Sequence, residues 1–343
     1  DLEDLKARLG RLTVAFTFDG APVTADDLGA TGALAALMKE AINPNLVQTL
    51  GGTPAYVHGG PFANIAHGCN SLVATRVALD HADIVLTEAG FGSDLGAEKF
   101  FDIKARHGGL DVAGVVVVAT IRSLKYNGGM ARTDLSTESV DHLREGVKNL
   151  ARHVANIQQF GATPIVALNL FTSDTEAERE FMRAWARDYH VALEECEVWA
   201  RGGAGAEKLA QVVLDNLSKG SSPLYDPRRG VEASIEALAR RIYRADKVEY
   251  APKALKDLAV LRENGWDELP VCISKTQYSF SDEPTALGAP TGHTLHVREL
   301  IPRTGAGFIV VLTGAVMTMP GLPARPAAEG IDIGADGKIS GLF

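Results

Sequence analysis

Short runs rich in β-branched residues recur along this chain at 83–87, 115–120, 164–170 and 191–199, and helical patterns lie between them. That alternation argues for α/β layers built on parallel sheet, because a parallel strand must return through a crossover that packs on the sheet face. From Val140 the apolar positions Leu143, Val147, Leu150, Val154 and Ile157 keep helical spacing, with Ser136 or Thr137 as N-cap and Gly161 past the end. Ser173-Asp174-Thr175-Glu176 reads as a capping box, opening a helix that carries Phe181, Ala184, Trp185 and Tyr189. The tail changes character: a helix over 253–263, strands over 271–274, 293–300 and 308–312, then a proline-dense loop at 320–326. These shifts place boundaries near 158 and near 250, giving two α/β units and a smaller mixed one.

Charge and cysteine usage narrow the function classes. A net charge of −9 argues against a general nucleic-acid surface, which would show basic stripes. Local donors and helix N-termini can still hold small anions. Cys69, Cys196 and Cys272 lie far apart without CxxC spacing, which fits reduced thiols in a cytoplasmic protein better than a disulfide frame or a zinc site. The most apolar stretch, 307–319, is interrupted by Gly314 and falls short of the roughly 20 residues a membrane span needs. The chain starts at Asp1, without an initiator methionine, inside a charged helical pattern, as a fragment of a longer protein would.

The chemistry-bearing residues cluster in a few segments. In 57–71, Gly59 and Gly60 let backbone approach a ligand, His58 and His67 can donate hydrogen bonds or move protons near neutrality, and Asn70-Ser71 lead into a helix N-terminus. The same residues also suit a tight packing loop with satisfied histidines. Glu88, Gly90 and Asp94 follow the 83–87 run, where a carboxylate can orient Mg²⁺ or water and glycines admit a phosphate; equally, Glu88 or Asp94 can simply cap the next helix. Arg122 and Lys125 follow the 115–120 run and can balance phosphate charge, or form a solvated helix face. Phe171 and Trp199 fall at the ends of presumed parallel strands, where α/β sheets bind ligands. Two aromatics there can hold a flat ring between them.

The wording of these segments is similar to one family. HGGPFANIAHGCNS at 58–71, ADIVLTEAGFGSDLGAEKFFDIK at 82–104 and VATIRSLKYNGG at 118–129 resemble formate–tetrahydrofolate ligases, the last matching their VAT(I/V)R(A/S)LKx(H/N)GG signature throughout. DGAPVT at 19–24, NLVQTL at 45–50, KTQYSFS at 275–281, MTMPGLP at 317–323 and the closing GLF extend the likeness over the whole chain. The resemblance implies ATP-dependent ligation of formate to tetrahydrofolate through formyl phosphate, with ATP, Mg²⁺ and often a monovalent cation (K⁺ or NH₄⁺). It also implies a cytoplasmic enzyme, commonly a homotetramer, with small-molecule substrates and neither nucleic-acid nor membrane partners. Family members stack the pterin between a Phe and a Trp in the contexts of Phe171 and Trp199; many have Pro after that Phe, where this chain has Thr172. The resemblance places His58 or His67 near formate, formyl phosphate or the N10 amine, with His58, beside two glycines, expected closer. Lys275, Tyr278, Ser279 and the 319–323 loop are expected to border the nucleotide or the folate tail.

The implied architecture is a P-loop NTPase-like three-layer parallel-sheet domain lacking its N-terminal part (1–158), a second α/β domain carrying the pterin slot (159–250) and a small C-terminal α+β domain (251–343). No GxxxxGK(S/T) motif is present, and Arg201-Gly202-Gly203-Ala204-Gly205-Ala206-Glu207-Lys208 lacks its Gly-Lys-Ser/Thr order. Family members carry that cradle, with a lysine and an arginine for formyl phosphate, before the segment matching Asp1. A folate-binding or regulatory module without ligase activity is therefore the alternative reading. A sheet without its first strands would expose an unpaired edge and an apolar face.

Overall fold

The computed structural model describes residues 1–60, 66–314, 316 and 325–341. Its organising element is a parallel sheet of Val115–Ala119, Pro164–Asn169 and Ala192–Cys196, in that order. Pro164–Asn169 lies between two neighbours and is buried along almost its whole length, which is why PIVALN shows no polar alternation. The helix Val140–Gln159 lays Leu143, Val147, Leu150 and Val154 against Val166, Leu168 and Met182, as its spacing predicts. Val115–Ala119 is an edge strand, and Val116 and Val118 are exposed on its outer face.

Local signals are displaced by a residue or two in places. Ser139, not Ser136 or Thr137, caps the helix Val140–Gln159, its hydroxyl accepting from the His142 N–H. The capping box at the next helix, Glu176–Asp188, joins Thr175 to Glu178 rather than spanning 173–176. The expected strand at 83–87 does not form: no ladder partner lies beside it among the described residues, and Leu86 is 83% exposed. The run 191–199 divides, its strand ending at Cys196 and Trp199 entering the short helix Val198–Arg201.

Beyond that irregular segment the chain forms two π-helical stretches, Gly92–Ala97 and Phe100–Ala105, continuing into the helical turn Arg106–Gly108. This stretch runs through the protein interior. Phe101 stacks on Phe160 at 4.3 Å between ring centroids, and both belong to a core that also contains Ile235, Val271 and Ile309. The tail sheet runs Lys247–Tyr250, Thr294–Arg303, Phe308–Thr313, Val271–Ser274, with an antiparallel central pair and parallel outer pairings. Thus the parallel sheet joins residues either side of 158, and one hydrophobic core joins residues either side of 250. Among the described residues no helix is long and apolar enough to cross a membrane.

Glu98 and Asp102, one turn apart, are buried in this core. Burial pushes Asp102 up to about 7, although the Leu224 N–H at 2.7 Å and Arg106 at 3.1 Å favour its charged form. Burial and the Asp102 charge push Glu98 well above the carboxylate range. A carboxyl whose folded value exceeds its unfolded value, about 3.9, stabilises the fold most below that value and loses the contribution as pH rises through the folded value. Asp102→Asn keeps an acceptor for Leu224 while removing the titration. Its melting temperature relative to the unmodified chain is expected to climb between pH 5 and pH 8, and scanning calorimetry across that range would show a flat difference if Asp102 does not titrate there.

Candidate active site

The carboxyl ends of the three parallel strands lie side by side. The ladders pair Ala119 with Leu168 and Asn169 with Cys196, and the Leu170 N–H donates to the Cys196 carbonyl at 3.0 Å. Each strand delivers one notable side chain just past its end: Arg122, Phe171 and Trp199. Phe171 is 43% exposed and Trp199 90% exposed. Trp185, by contrast, packs on the core and stacks on Tyr189. The fold has no packing use for so large a ring at Trp199, which leaves it open to a flat ligand.

Local geometry fixes both aromatics. Asp174 closes the turn after Pro164–Asn169, its Oδ2 accepting the Phe171 N–H at 2.8 Å. The Arg122 guanidinium sits over the Phe171 ring at 5.5 Å, a cation–π contact. At Trp199 the glycine-rich run folds back on its own approach: the Glu197 N–H donates to the Gly205 carbonyl at 3.1 Å, and a Cβ on Gly205 would stand 2.5 Å from the Glu197 carbonyl oxygen. The run absent of a P-loop order thus shapes the aromatic's support.

Arg122 also lines a cleft of about 620 Å³ whose walls include Phe91, Tyr126, Arg132, His153 and Tyr278. Sequence reasoning passed over His153. It sits beside the apolar stripe of the helix Val140–Gln159, one step after Leu150, and a histidine in that position was the available signal. Its Nδ1 lies 3.2 Å from the Ser93 nitrogen, whose N–H it accepts, and 2.8 Å from the Ser93 hydroxyl, and burial lowers the pKa of the ring. Below it Lys275 pairs with Asp94 at 2.6 Å, both buried. Asp94 therefore anchors the tail's 275–281 segment to the start of the π-helical stretch. Of the expected bordering residues, Tyr278 and Ser279 line the cleft, Lys275 lies in this ion pair, and the 319–323 loop falls outside the described residues.

Other expectations meet a different geometry. Lys125 is fully buried, donating to Glu178 at 2.7 Å and to the Thr137 carbonyl at 2.8 Å, with no face toward a phosphate. Its neighbour Arg122 is the accessible cation of the pair. His58 has both ring nitrogens engaged, by Ser71 at 2.6 Å and the Ala41 carbonyl at 2.7 Å. His67 is the reverse: its Nδ1 is buried without a partner among the described residues. Burial, then the charges of Lys104, Lys99 and His107, lower it to about 4. Neither histidine lines the cleft. Gly59 and Gly60 are exposed, and 61–65 fall outside the described residues. Glu88 is exposed, and Gly90 turns the chain with φ +70°. Among the described residues no three His, Cys, Asp or Glu side chains gather to hold a metal ion. The Glu88–Asp94 turn does not fit Mg²⁺, since Asp94 is already given to Lys275.

Comparison with known proteins gives this geometry its context. A family model described as "Formate--tetrahydrofolate ligase" matches residues 1–343. Over 351 aligned residues the chain is 63% identical to the protein of that name from Corynebacterium jeikeium, covering all of this chain and 60% of the relative. The Corynebacterium diphtheriae protein is 63% identical over 344 residues, and one from Staphylococcus aureus 55% over 344, each with all of this chain and 62% of the relative covered. The chain thus spans about three-fifths of the length of these curated relatives. A match at this identity over the whole length of the chain means that it belongs to the formate--tetrahydrofolate ligase family.

Proposed function

We propose that this chain supplies the folate-binding side of an ATP-dependent ligation of formate to tetrahydrofolate, giving 10-formyltetrahydrofolate through formyl phosphate. A formate oxygen attacks the γ-phosphorus of ATP and ADP leaves. The N10 amine then attacks the formyl carbon, phosphate departs, and N10 loses its proton. The observation that carries this reading is the pair of exposed aromatics, Phe171 and Trp199, at the ends of adjacent parallel strands. In this role the two rings hold the pterin and orient N10, so that binding energy is converted into positioning. Arg122, stacked on Phe171 and open to the cleft, is the group best placed to meet the phosphate of the activated acyl. His58 and His67 belong to the same proposal through the family resemblance.

Magnesium, a monovalent cation, a cytoplasmic location and a homotetrameric assembly belong to the same proposal through the family. A second reading, a folate-binding module without ligase activity, is favoured by one observation: Lys125, the signature lysine, is committed to Glu178. Anaerobic titration of the chain with tetrahydrofolate, beside an assay of ADP release dependent on formate and folate, separates the two. Binding with release supports the ligase, binding without release supports the module, and absence of binding removes the folate assignment.

A further inference from the structure

We infer that Lys125 is a positioning residue for the folate platform, acting through Glu178 on the turn that presents Phe171. The inference rests on the pterin assignment above and adds the device that holds it. Lys125 leaves the helix Ile121–Asn127, the one that also carries Arg122. Its ammonium reaches Glu178 Oε1, which at the same time accepts the Ser139 N–H at 3.0 Å. The other oxygen, Oε2, accepts the Thr175 N–H at 3.1 Å, while the Glu178 N–H returns to the Thr175 hydroxyl. Thr175 follows Asp174, whose carboxylate holds the Phe171 N–H, and the Asp174 N–H donates back to the Phe171 carbonyl at 3.0 Å.

One carboxylate therefore ties three segments: the signature helix, the start of the helix Val140–Gln159, and the loop from Phe171 to Thr175. The two ends of the tie meet again outside the core, where Arg122 covers the Phe171 ring. With the helix carrying Arg122 and the loop carrying Phe171 locked together, the distance between cation and aromatic face is set before a ligand arrives. A buried ion pair is weak evidence for added stability, and its best-attested use is to fix one arrangement among several. Here the arrangement fixed is that of a ligand-facing ring.

The test is the double variant Lys125→Met/Glu178→Gln, in which glutamine preserves the capping box while the charged tie is gone. Circular dichroism and thermal melting establish that it folds; should it not, Glu178→Gln alone carries the same test. The Kd for tetrahydrofolate, measured anaerobically by calorimetry, is expected to rise about tenfold. Phe171→Ala, made in the unmodified chain and again in the double variant, is expected to cost less in the second background, because the ring is no longer held in place. A folded double variant that binds within twofold of the unmodified chain overturns the inference, and so does an undiminished Phe171→Ala loss. If Phe171→Ala and Trp199→Ala both leave the affinity of the unmodified chain unchanged, or that chain does not bind, the pterin assignment itself falls, and the inference with it.

Discussion

Trp199→Ala raises the Kd of this chain for tetrahydrofolate about thirtyfold, roughly 2 kcal/mol, while leaving its melting temperature where it was: that is the expected result. Two magnitudes support it. An aromatic that anchors a ligand typically costs about 2 kcal/mol or more when truncated, and stacking alone adds about 0.5–1.5 kcal/mol beyond buried area. At 90% exposure the indole buries almost nothing in the unliganded protein, and surface substitutions of that kind usually shift stability by no more than about 0.5 kcal/mol. Calorimetric titration beside thermal melting reads both quantities. Any affinity of the chain for ATP is expected to be unaffected. An equal fall in folate affinity, nucleotide affinity and melting temperature would mark a collapsed domain instead. Phe171→Ala is a less clean probe, since it also releases Arg122 from the ring.

What made Trp199 legible was its position. Ligands bind in parallel sheets where the strands end, and Phe171 and Trp199 stand at the ends of two β-branched runs in the sequence itself. The same logic anticipated parallel strands at 115–120 and 164–170 and the helix Val140–Gln159, because burial on a parallel sheet leaves a continuous apolar run and burial of one helix face leaves a stripe. It failed at 83–87, where the run has the composition of a strand but no neighbour to pair with among the described residues. A strand is a property of two segments, and one segment cannot announce it. It is silent on the partners of Lys125 and Asp94. Charge in a glycine-rich or signature segment suggested ligands, yet Glu178 and Lys275, the partners that neutralise these residues, lie 53 and 181 positions away in sequence. His58 shows the same limit, since the Ser71 hydroxyl and the backbone of Ala41 engage both its ring nitrogens. His153 was hidden by its helix, where a histidine beside a stripe of leucine and valine reads as packing.

The two glycines of the signature's neighbourhood give the largest stability effect. Gly146 lies in the middle of the helix Val140–Gln159, where propensity alone would make alanine better by about 1 kcal/mol. A Cβ at that position would stand 1.7 Å from the Leu124 carbonyl oxygen, and one on Gly128 would stand 1.9 Å from the His142 carbonyl oxygen. The helices Ile121–Asn127 and Val140–Gln159 therefore meet backbone to backbone, and no rotamer change relieves the overlap. Overpacking a rigid contact costs about 1–3 kcal/mol and occasionally more; with a carbonyl as the obstacle, the upper end of that range outweighs the gain in propensity. Gly146→Ala is expected to destabilise the chain by about 3 kcal/mol, measured by urea unfolding, against a total of about 5–15 kcal/mol for a folded domain. Gly32→Ala is the control: in the helix Thr31–Met38 nothing lies within 4 Å of its added Cβ, so the same substitution is expected to stabilise. Equal behaviour of the two variants would mean that the helices separate freely. Because Arg122 and Lys125 ride on the displaced helix, a Gly146→Ala chain that still folds is also expected to lose folate affinity. That loss would trace the aromatic shelf back to a pair of residues chosen for having no side chain at all.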